Sequence, residues 1–94
     1  MQVRWLRTAL QNLDDEATYI AQDEASAACL VVERVLSAVA MLAEQPGLGR
    51  PGRVPGTREL IVAKTRYLVP YRVRGGTVEV LRVVHTSRRL PGNW

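Results

Sequence analysis

The residues that could perform chemistry lie near the end of the chain, around its single histidine. His85 closes a β-branched run and Arg88 follows three positions later, while the predicted hairpin sets Arg66 opposite His85. The histidine could act as a general acid or base, and the two arginines could contact a phosphate and its transition state. A lone histidine at a strand end is more often a partly exposed structural residue, so catalysis is the less favoured interpretation.

Other reactive groups have little support in the sequence. Cys29 is the single cysteine, which excludes an internal disulfide, and its apolar helical neighbours favour a buried structural thiol. The CxxC and HExxH spacings do not occur, so neither a metal nor another cofactor is expected. No signal peptide and no run of about 18 apolar residues are apparent, which predicts a cytoplasmic protein without membrane contact.

Charge is distributed unevenly along the 94 residues, which carry a formal net charge of +4. Residues 11–45 contain seven acidic residues and one basic residue, whereas residues 50–89 contain ten basic and two acidic residues. The basic half favours an acidic or polyanionic partner, although a basic surface can also serve solubility alone. Length and composition predict one globular domain over residues 1–94.

The element that must position His85 is a hairpin over residues 67–85. Two β-branched and aromatic runs flank Gly75-Gly76, which is a strong signal for a two-residue turn. Side chains alternate between faces along a strand, so this turn places six residues on one apolar face that should bury against helices. The facing pairs are Val73–Val78, Tyr71–Val80 and Tyr67–Val84.

The opposite face of this hairpin mixes polar and apolar side chains. Its facing pairs are Arg72–Glu79, Pro70–Leu81, Leu68–Val83 and Arg66–His85. Two helices leave little of the chain to cover the apolar stripe, so we expect a partner segment to lie across it. Pro70 has no N–H, and a bulge there would shift the register of residues 66–69. In this register Arg82 falls on the core face, so its charged end must extend to an edge of the sheet to reach solvent.

A short strand and a first helix are predicted at the N-terminus. Gln2–Trp5 alternates polar and apolar residues, as a half-buried strand does. Thr8 with Gln11 three residues later matches a capping box. The acidic residues 14–16 fall largely on the solvent side. The predicted apolar face of the helix consists of Leu6, Leu10, Leu13, Ala17 and Ile20.

A second helix follows after a short gap, which predicts an antiparallel helical hairpin. Asp23 is its expected N-cap, and Pro46-Gly47 should end it. A coiled-coil dimer is a weaker alternative, because each helix spans only two or three heptads. The predicted buried stripe consists of Ala28, Val32, Val35, Val39 and Leu42, with Leu36 beside it.

Residues 46–57 contain four glycines and three prolines, which exclude a helix or a central strand. The order of a phosphate-binding loop is also missing. We expect a surface connector with Leu48 and Val54 held in the core. The alternative is a basic loop near a site, through Arg50 and Arg53. A third strand is predicted over Arg58–Ala63.

This order of elements resembles the RelE/ParE family, the toxins of bacterial type II toxin–antitoxin systems. The shared features are the strand, the helical hairpin, the Pro/Gly/Arg loop, the three-stranded meander and the His-x-x-Arg tail. The matching pieces are Trp5-x-x-x-Ala9-x-x-x-Leu13, Tyr19-Ile20-Ala21, Pro46-Gly47-Leu48-Gly49-Arg50-Pro51, Val54-Pro55-Gly56-Thr57-Arg58-Glu59-Leu60, Tyr71-Arg72-Val73 and the run from Val80 to Arg88.

The resemblance implies an α+β fold in which an N-terminal strand and a three-stranded antiparallel meander carry a two-helix hairpin on one face. It also implies a co-expressed antitoxin whose C-terminal segment wraps the toxin and folds on binding. Sequence-specific DNA binding, if any, would belong to the antitoxin. The expected antitoxin contacts are Leu68, Pro70, Arg72, Leu81 and Val83.

The family divides by molecular target. RelE-like members cleave mRNA in the ribosomal A site, using lysines and arginines of the central strands plus a terminal Arg, Tyr or His. Here the central arginine position corresponds to Leu68, Lys64 stands alone, and no tyrosine follows His85. ParE-like members bind and poison DNA gyrase through the C-terminal strand and tail.

The sequence pieces resemble the ParE branch more closely, so gyrase poisoning without chemistry is the favoured function. The alternative is a ribosome-dependent mRNA endonuclease that uses His85, Arg66 and Arg88. A pure DNA-binding module lacks a helix-turn-helix or ribbon signature. The expected target contacts are Arg82, His85, Arg88 and Arg89.

Overall fold

The protein is built on a six-stranded mixed sheet with a helical hairpin on one face. A computed structural model describes residues 1–88 and 90–94. The helices are α1 (Arg7–Ala21) and α2 (Ala25–Ala40), and α2 continues into a 3₁₀ turn at Met41–Ala43. The strands are β1 (Gln2–Trp5), β2 (Arg50–Pro51), β3 (Arg58–Ile61), β4 (Tyr67–Arg74), β5 (Thr77–Val80) and β6 (Val84–His85).

The sheet has the strand order β1-β5-β4-β3-β2, with β6 paired to β4. The strands β3, β4 and β5 form the predicted antiparallel meander. The strand β1 joins it by pairing parallel to β5. The predicted α+β architecture is therefore confirmed.

The two-residue turn of the hairpin forms as predicted. Gly75 and Gly76 have φ of 60° and 74°, the positive values that a type I′ turn requires at both central positions. Val73 pairs with Val78, and Tyr71 pairs with Val80. The predicted register is therefore confirmed in the part of the hairpin nearest the turn.

Farther from the turn the register shifts by one residue. The Leu81 N–H still donates to the Pro70 carbonyl at 2.9 Å, but β6 pairs Tyr67 with His85 and Leu68 with Val84. The extra residue therefore lies between Leu81 and Val84, and not at Pro70. The predicted pairs Tyr67–Val84, Leu68–Val83 and Arg66–His85 are wrong. The bulge adds one residue after β5, so every later residue pairs one position farther along the chain.

The bulge also exchanges faces near the end of the sheet. Val83 joins the buried core at 3% exposure, in the place predicted for Val84. At the hairpin tip Val73 is 44% exposed. The core, on the helix side of the sheet, consists of Ala9, Leu13, Val35, Val39, Leu42, Leu60, Val62, Tyr67, Val69, Tyr71, Val78, Val80 and Val83.

The start of each helix differs from the predicted cap. Leu6 occupies the N-cap of α1 without a side-chain bond, so Thr8 lies inside the helix and makes no capping box. The Gln11 amide instead donates to the Asp15 carboxylate at 2.8 Å. The N-cap of α2 is Glu24, one residue after Asp23, and its carboxylate accepts from the backbone of residue 26 at 3.3 Å.

The buried faces of the helices are narrower than predicted. In α1 the buried residues are Ala9 and Leu13, whereas Leu10 is 51% exposed. In α2 Leu36 is 45% exposed. Each small shift reflects which side of the helix the sheet covers, since a surface helix buries only one stripe.

The second helix is unusually apolar. Ala25–Ala43 form a stretch of 19 residues with mean hydropathy 1.8, long and apolar enough to cross a membrane by length and composition. Glu33 and Arg34 interrupt this stretch, so it is not an unbroken run of apolar residues. In this fold Val35, Val39 and Leu42 of that stretch are at most 1% exposed within the core shared with the sheet.

The loop before β3 is held by Tyr71 and not by Leu48, which is 44% exposed. The Tyr71 hydroxyl accepts from the Gly49 N–H at 2.8 Å and donates to the Pro46 carbonyl at 2.7 Å. Val54 is half-buried. A buried tyrosine therefore satisfies backbone groups of the connector and ties it to the centre of the sheet.

Candidate functional site

The structure brings the three sequence-predicted chemical residues together. His85, Arg66 and Arg88 line one cavity of about 480 Å³, where the beginning of β4 meets the end of β6. Arg66 is not directly opposite His85, because its carbonyl accepts from the backbone N–H of Thr86 at 2.8 Å. The walls include Tyr19, Ile20, Val31, Thr65, Tyr67 and Ser87.

An ion pair occupies one side of this cavity. Arg88 donates from Nη1 and Nη2 to the two carboxylate oxygens of Glu16, at 2.6 and 3.1 Å. The Glu16 side chain is 13% exposed. Burial raises the pKa of Glu16, but hydrogen bonds from Arg88 and Tyr67 outweigh it and hold the pKa below its ordinary value. The pKa of Arg88 rises because Glu16 accepts from it.

Tyr67 links this ion pair to the histidine. Its hydroxyl donates to Glu16 at 2.9 Å, and its ring meets His85 edge-on with 5.2 Å between ring centres. Burial raises the pKa of Tyr67 to about 12, helped by the bond to Glu16. The phenol therefore stays protonated as a donor to Glu16.

The tautomer of His85 follows from its neighbour Ser87. The Ser87 backbone N–H donates to Nδ1 of His85 at 3.2 Å, and the Ser87 hydroxyl lies 2.7 Å from the same nitrogen. A backbone N–H can only donate, so Nδ1 is the acceptor and the neutral ring carries its proton on Nε2. The nitrogen left for a ligand therefore carries a proton in the neutral ring, so it can donate a hydrogen bond but cannot accept a proton as a base does.

The arrangement presents a modest positive charge. Glu16 neutralises Arg88, whereas the Arg66 side chain is exposed and makes no hydrogen bond within residues 1–88 and 90–94. A phosphate entering the cavity would meet one unpaired guanidinium, one N–H of His85 and a carboxylate. Such a set can hold a polar partner, but it offers little stabilisation to a developing phosphoryl charge.

Sequence reasoning missed Glu16 and Tyr67 as site residues. Glu16 was expected to face solvent, and Tyr67 was expected to pack in the core without a role in the site. The signal for Glu16 was present, because it lies three residues after Leu13 and four before Ile20, within the apolar stripe. A charged residue at such a position is seldom buried without a partner.

The predicted open stripe on the other side of the sheet, the outer face, is not open. Leu68 and Leu81 are 2% and 7% exposed, and Pro70 is under 2%. Near this face the C-terminal residues contact Arg53, whose guanidinium lies 5.1 Å from the Trp94 ring centre and donates to the carbonyl of residue 91. The expectation of an exposed stripe is wrong, because these side chains are buried within the fold of the chain itself.

The loop arginines contact a buried carboxylate on the same outer face. Glu59 is 2% exposed, and it accepts from Arg50 Nη2 and from the Arg53 backbone N–H, each at 3.1 Å. Arg82 was expected on the core face, but Val83 lies in the core there, and the Arg82 Nε donates to the Trp94 carbonyl at 3.4 Å. Trp94 therefore contacts both Arg53 and Arg82.

The remaining predicted antitoxin and target contacts lie in different parts of the molecule. Arg72 is on the outer face, where its Nε donates to Glu79 at 2.7 Å. Val83 has turned into the core and cannot contact a partner on the outer face. Arg89 lies outside the described residues. The predicted antitoxin set is thus divided between buried side chains and one accessible arginine.

Comparison with known proteins identifies relatives along nearly the whole chain. A family model described as the ParE toxin of the type II toxin–antitoxin system parDE matches residues 3–90. A protein of Sinorhizobium fredii named "Putative toxin Y4kP" is 45% identical over 89 residues, covering 95% of this chain and 92% of its own.

Two further relatives agree with that match. Toxin RelE2 of Caulobacter vibrioides is 36% identical over 87 residues, covering 93% of this chain and 97% of its own. A solved chain from the chromosomal ParDE TA system of P. aeruginosa superposes with a TM-score of 0.82 at 29% identity. That superposition covers 93% of this chain and 97% of the other.

Proposed function

Because the chain belongs to the ParE toxin family of type II toxin–antitoxin systems, we propose that it inhibits growth by binding and poisoning DNA gyrase. It acts in the cytoplasm without chemistry of its own. Family membership implies a cognate antitoxin, and a system of this kind can serve plasmid stabilisation. The target is the part of this proposal that the contacts around His85 support.

The single observation behind this proposal is the hydrogen bond from the Ser87 backbone N–H to Nδ1 of His85. Cleavage of RNA at a 2′-hydroxyl needs a base within hydrogen-bond reach of that proton. The Ser87 N–H occupies Nδ1 and leaves an N–H at Nε2, so the neutral ring offers a donor where a base is needed. A proton on Nδ1 would face the Ser87 backbone N–H, which can only donate.

The ion pair between Arg88 and Glu16 supports the same proposal. Its two terminal nitrogens are bound to Glu16, and that carboxylate would repel an incoming phosphate. In-line phosphoryl transfer relies on cations placed against the developing charge. Arg66 alone is a poor substitute, whereas an exposed arginine beside a histidine N–H suits a protein surface with acidic groups.

The alternative is a ribosome-dependent mRNA endonuclease. The observation in its favour is that His85, Arg66 and Arg88 share one cavity of about 480 Å³. For this function Arg88 must leave Glu16, and His85 must give up its contact with Ser87. Binding to the ribosome would have to supply both changes.

Neutralisation is proposed to involve the outer face of the sheet. Arg72 is the accessible member of the predicted antitoxin contacts, with a side chain 35% exposed. Leu68, Pro70 and Leu81 are buried. The antitoxin therefore either contacts Arg72 beside these buried side chains or displaces the residues that cover them.

The test compares two reactions with purified toxin. In one, gyrase supercoils relaxed plasmid; in the other, a translating extract reads a reporter mRNA. The proposal predicts blocked supercoiling and intact mRNA, with both reactions normal once antitoxin is added. Cleavage of mRNA only in the presence of ribosomes, with normal supercoiling, would replace the proposal with the nuclease alternative.

A further inference from the structure

Charge is separated between the two faces of the sheet. The outer face contains the buried carboxylates Glu59 and Glu79, and the other seven acidic residues all lie within residues 14–44, in the helical hairpin and its turns. Five arginines reach the outer face by strand register or by contact with its two carboxylates. We call these five the arginine face: Arg4, Arg50, Arg53, Arg72 and Arg74.

Most of the net charge of the chain lies on this one side. Five positive charges against the two carboxylates give the outer face a formal charge of +3, out of +4 for the whole chain. A sheet face that concentrates charge of one sign attracts a partner of the opposite sign.

Glu79 aligns two arginines of the face. Arg72 and Arg74 approach the same Glu79 oxygen through Nε, at 2.7 and 3.4 Å. Their side chains are 35% and 67% exposed, whereas the Glu79 side chain is 8% exposed. Within residues 1–88 and 90–94, the Nη groups of both arginines make no hydrogen bond. These groups therefore point their donors at the surface.

Glu59 repeats this arrangement one strand beyond β4. Arg50 Nη2 donates to one of its oxygens at 3.1 Å, and Arg53 Nε lies 3.9 Å from the other. The two arginine side chains are 56% and 41% exposed above a glutamate that is 2% exposed. Each buried carboxylate thus orients two exposed guanidiniums, and an oriented guanidinium loses less freedom when it binds an anion.

The arginine face spans the full width of the sheet. Arg4 lies on the edge strand β1, Arg72 on the central strand β4, and Arg50 on the opposite edge strand β2. Neighbouring strands are about 4.8 Å apart, so the two edges are separated by about 19 Å. Duplex DNA carries one negative charge per about 1.7 Å of its axis, so a segment across this width presents several phosphates to the face.

We propose that the arginine face binds the phosphate backbone of duplex DNA without reading its sequence. This inference rests on the proposed function for the source of that DNA, which is the segment held by gyrase. A guanidinium matches the geometry of a phosphate with two parallel hydrogen bonds. Phosphate contacts position a protein on a duplex but carry no sequence information, so no helix-turn-helix is needed.

Such a contact would also explain how binding becomes poisoning. A toxin that contacts DNA as well as gyrase binds the gyrase–DNA complex more tightly than it binds gyrase alone. By linkage, the toxin then stabilises gyrase on its DNA.

The face favours a duplex over single-stranded RNA. Proteins that hold single strands commonly stack the bases on aromatic side chains. Tyr19 lies on α1, and the Trp94 ring already contacts Arg53. The remaining aromatic residues pack in or against the helix-side core: Trp5, Tyr67 and Tyr71. Within residues 1–88 and 90–94, the arginine face therefore offers no free ring to a base.

The test measures the affinity of purified toxin for a fluorescein-labelled duplex of about 20 base pairs by anisotropy, at about 50 and 200 mM salt. The double variant Arg4→Gln/Arg74→Gln removes two charges and leaves the bond between Arg72 and Glu79. At the lower salt we expect affinity to fall about tenfold or more, and the slope of log K against log salt to lessen by about 2.

The matched control is Arg7→Gln/Lys64→Gln. It removes the same charge from two exposed residues, one on α1 and one in the turn between β3 and β4. It should change duplex affinity less than about threefold, because these residues lie outside the arginine face. Thermal unfolding checks that each variant folds like the wild type, and Arg74→Gln alone replaces the double variant if that variant does not fold.

Four outcomes would overturn the proposal. They are unchanged duplex affinity in the folded variant, an equal loss in the control, tighter binding of single-stranded RNA of the same length, and a loss confined to affinity for the cognate antitoxin. Trapping of gyrase on cleaved DNA is measured separately. A wild-type toxin that binds the duplex through these arginines but leaves gyrase active would refute the proposed target and retain the DNA contact.

Discussion

Glu16 on the first helix and Arg88 after the last strand form a two-pronged ion pair, with distances of 2.6 and 3.1 Å. The pair joins residues that are 72 positions apart in the sequence. It fixes the segment after His85 against α1, and it neutralises the arginine that a phosphate would otherwise meet. The same contact thus stabilises the fold and shapes the proposed target surface.

Replacing Glu16 by glutamine should lower the free energy of unfolding by about 1–2 kcal/mol at pH 7, the order of a hydrogen bond to a charged group. The folded-state pKa of Glu16 is below its ordinary 4.5. Its contribution is therefore present above that value and is lost as the pH falls through the folded pKa. Urea unfolding at pH 7 and pH 3 should show a difference from wild type that fades in acid.

Asp14→Asn is the control for that experiment, since Asp14 is an exposed carboxylate of the same helix. It should change stability by less than about 0.5 kcal/mol. A Glu16→Gln difference that stays constant between the two pH values would mean that the ion pair contributes little to folding.

Replacing His85 by alanine separates a contact from a catalytic residue. If His85 makes a hydrogen bond to gyrase, its loss should raise the inhibitory concentration about tenfold or less, which corresponds to the free energy of one hydrogen bond. Removal of a general acid or base costs about 10²–10⁴ in rate. A titration of supercoiling inhibition measures the effect, and a loss beyond a hundredfold would indicate that His85 takes part in chemistry.

Gly49→Ala should destabilise the fold by about 1–3 kcal/mol, the cost typical of overpacking. An added Cβ would lie 2.6 Å from Tyr71 Cε1 and 2.8 Å from its hydroxyl oxygen. Gly47→Ala is the matched control in the same loop, because a Cβ there meets nothing within 4 Å. Thermal unfolding of the two variants compares them directly, and equal melting temperatures would refute the packing described around Tyr71.

Trp94→Ala should lower stability by about 1 kcal/mol, since it removes the cation–π contact between Arg53 and the Trp94 ring. Asn93→Ala, at an exposed neighbouring position, should be neutral. Urea unfolding with tryptophan-independent detection, such as circular dichroism, measures both. A neutral Trp94→Ala would mean that the contact between Arg53 and Trp94 contributes little to the stability of the fold.

The parts of the fold that depend on local rules could be predicted from the sequence. The Gly75-Gly76 turn and the two apolar stripes are read from neighbouring residues, and each formed nearly where expected. The position of the bulge could not be predicted, because it is set by the pairing of β6 with β4. Pro70 suggested a bulge, but the extra residue lies on the opposite strand.

The candidate site was predicted in part for the same reason. His85, Arg66 and Arg88 are near one another along the hairpin, so the strand register alone predicts that they lie close together. Glu16 belongs to a helix distant in sequence, and only the packing of α1 places it beside Arg88. The contact between Arg53 and Trp94 likewise joins segments distant in sequence, and no local pattern predicts it.

The most direct test of the proposed function asks whether the toxin traps gyrase on cleaved DNA. Purified gyrase, supercoiled plasmid and ATP are incubated with toxin, then treated with detergent and protease, and linear DNA is counted on a gel. The proposal predicts linear DNA that rises with toxin concentration and disappears when antitoxin is added first. Plasmid that stays uncut and normally supercoiled at a toxin concentration that arrests growth would contradict it.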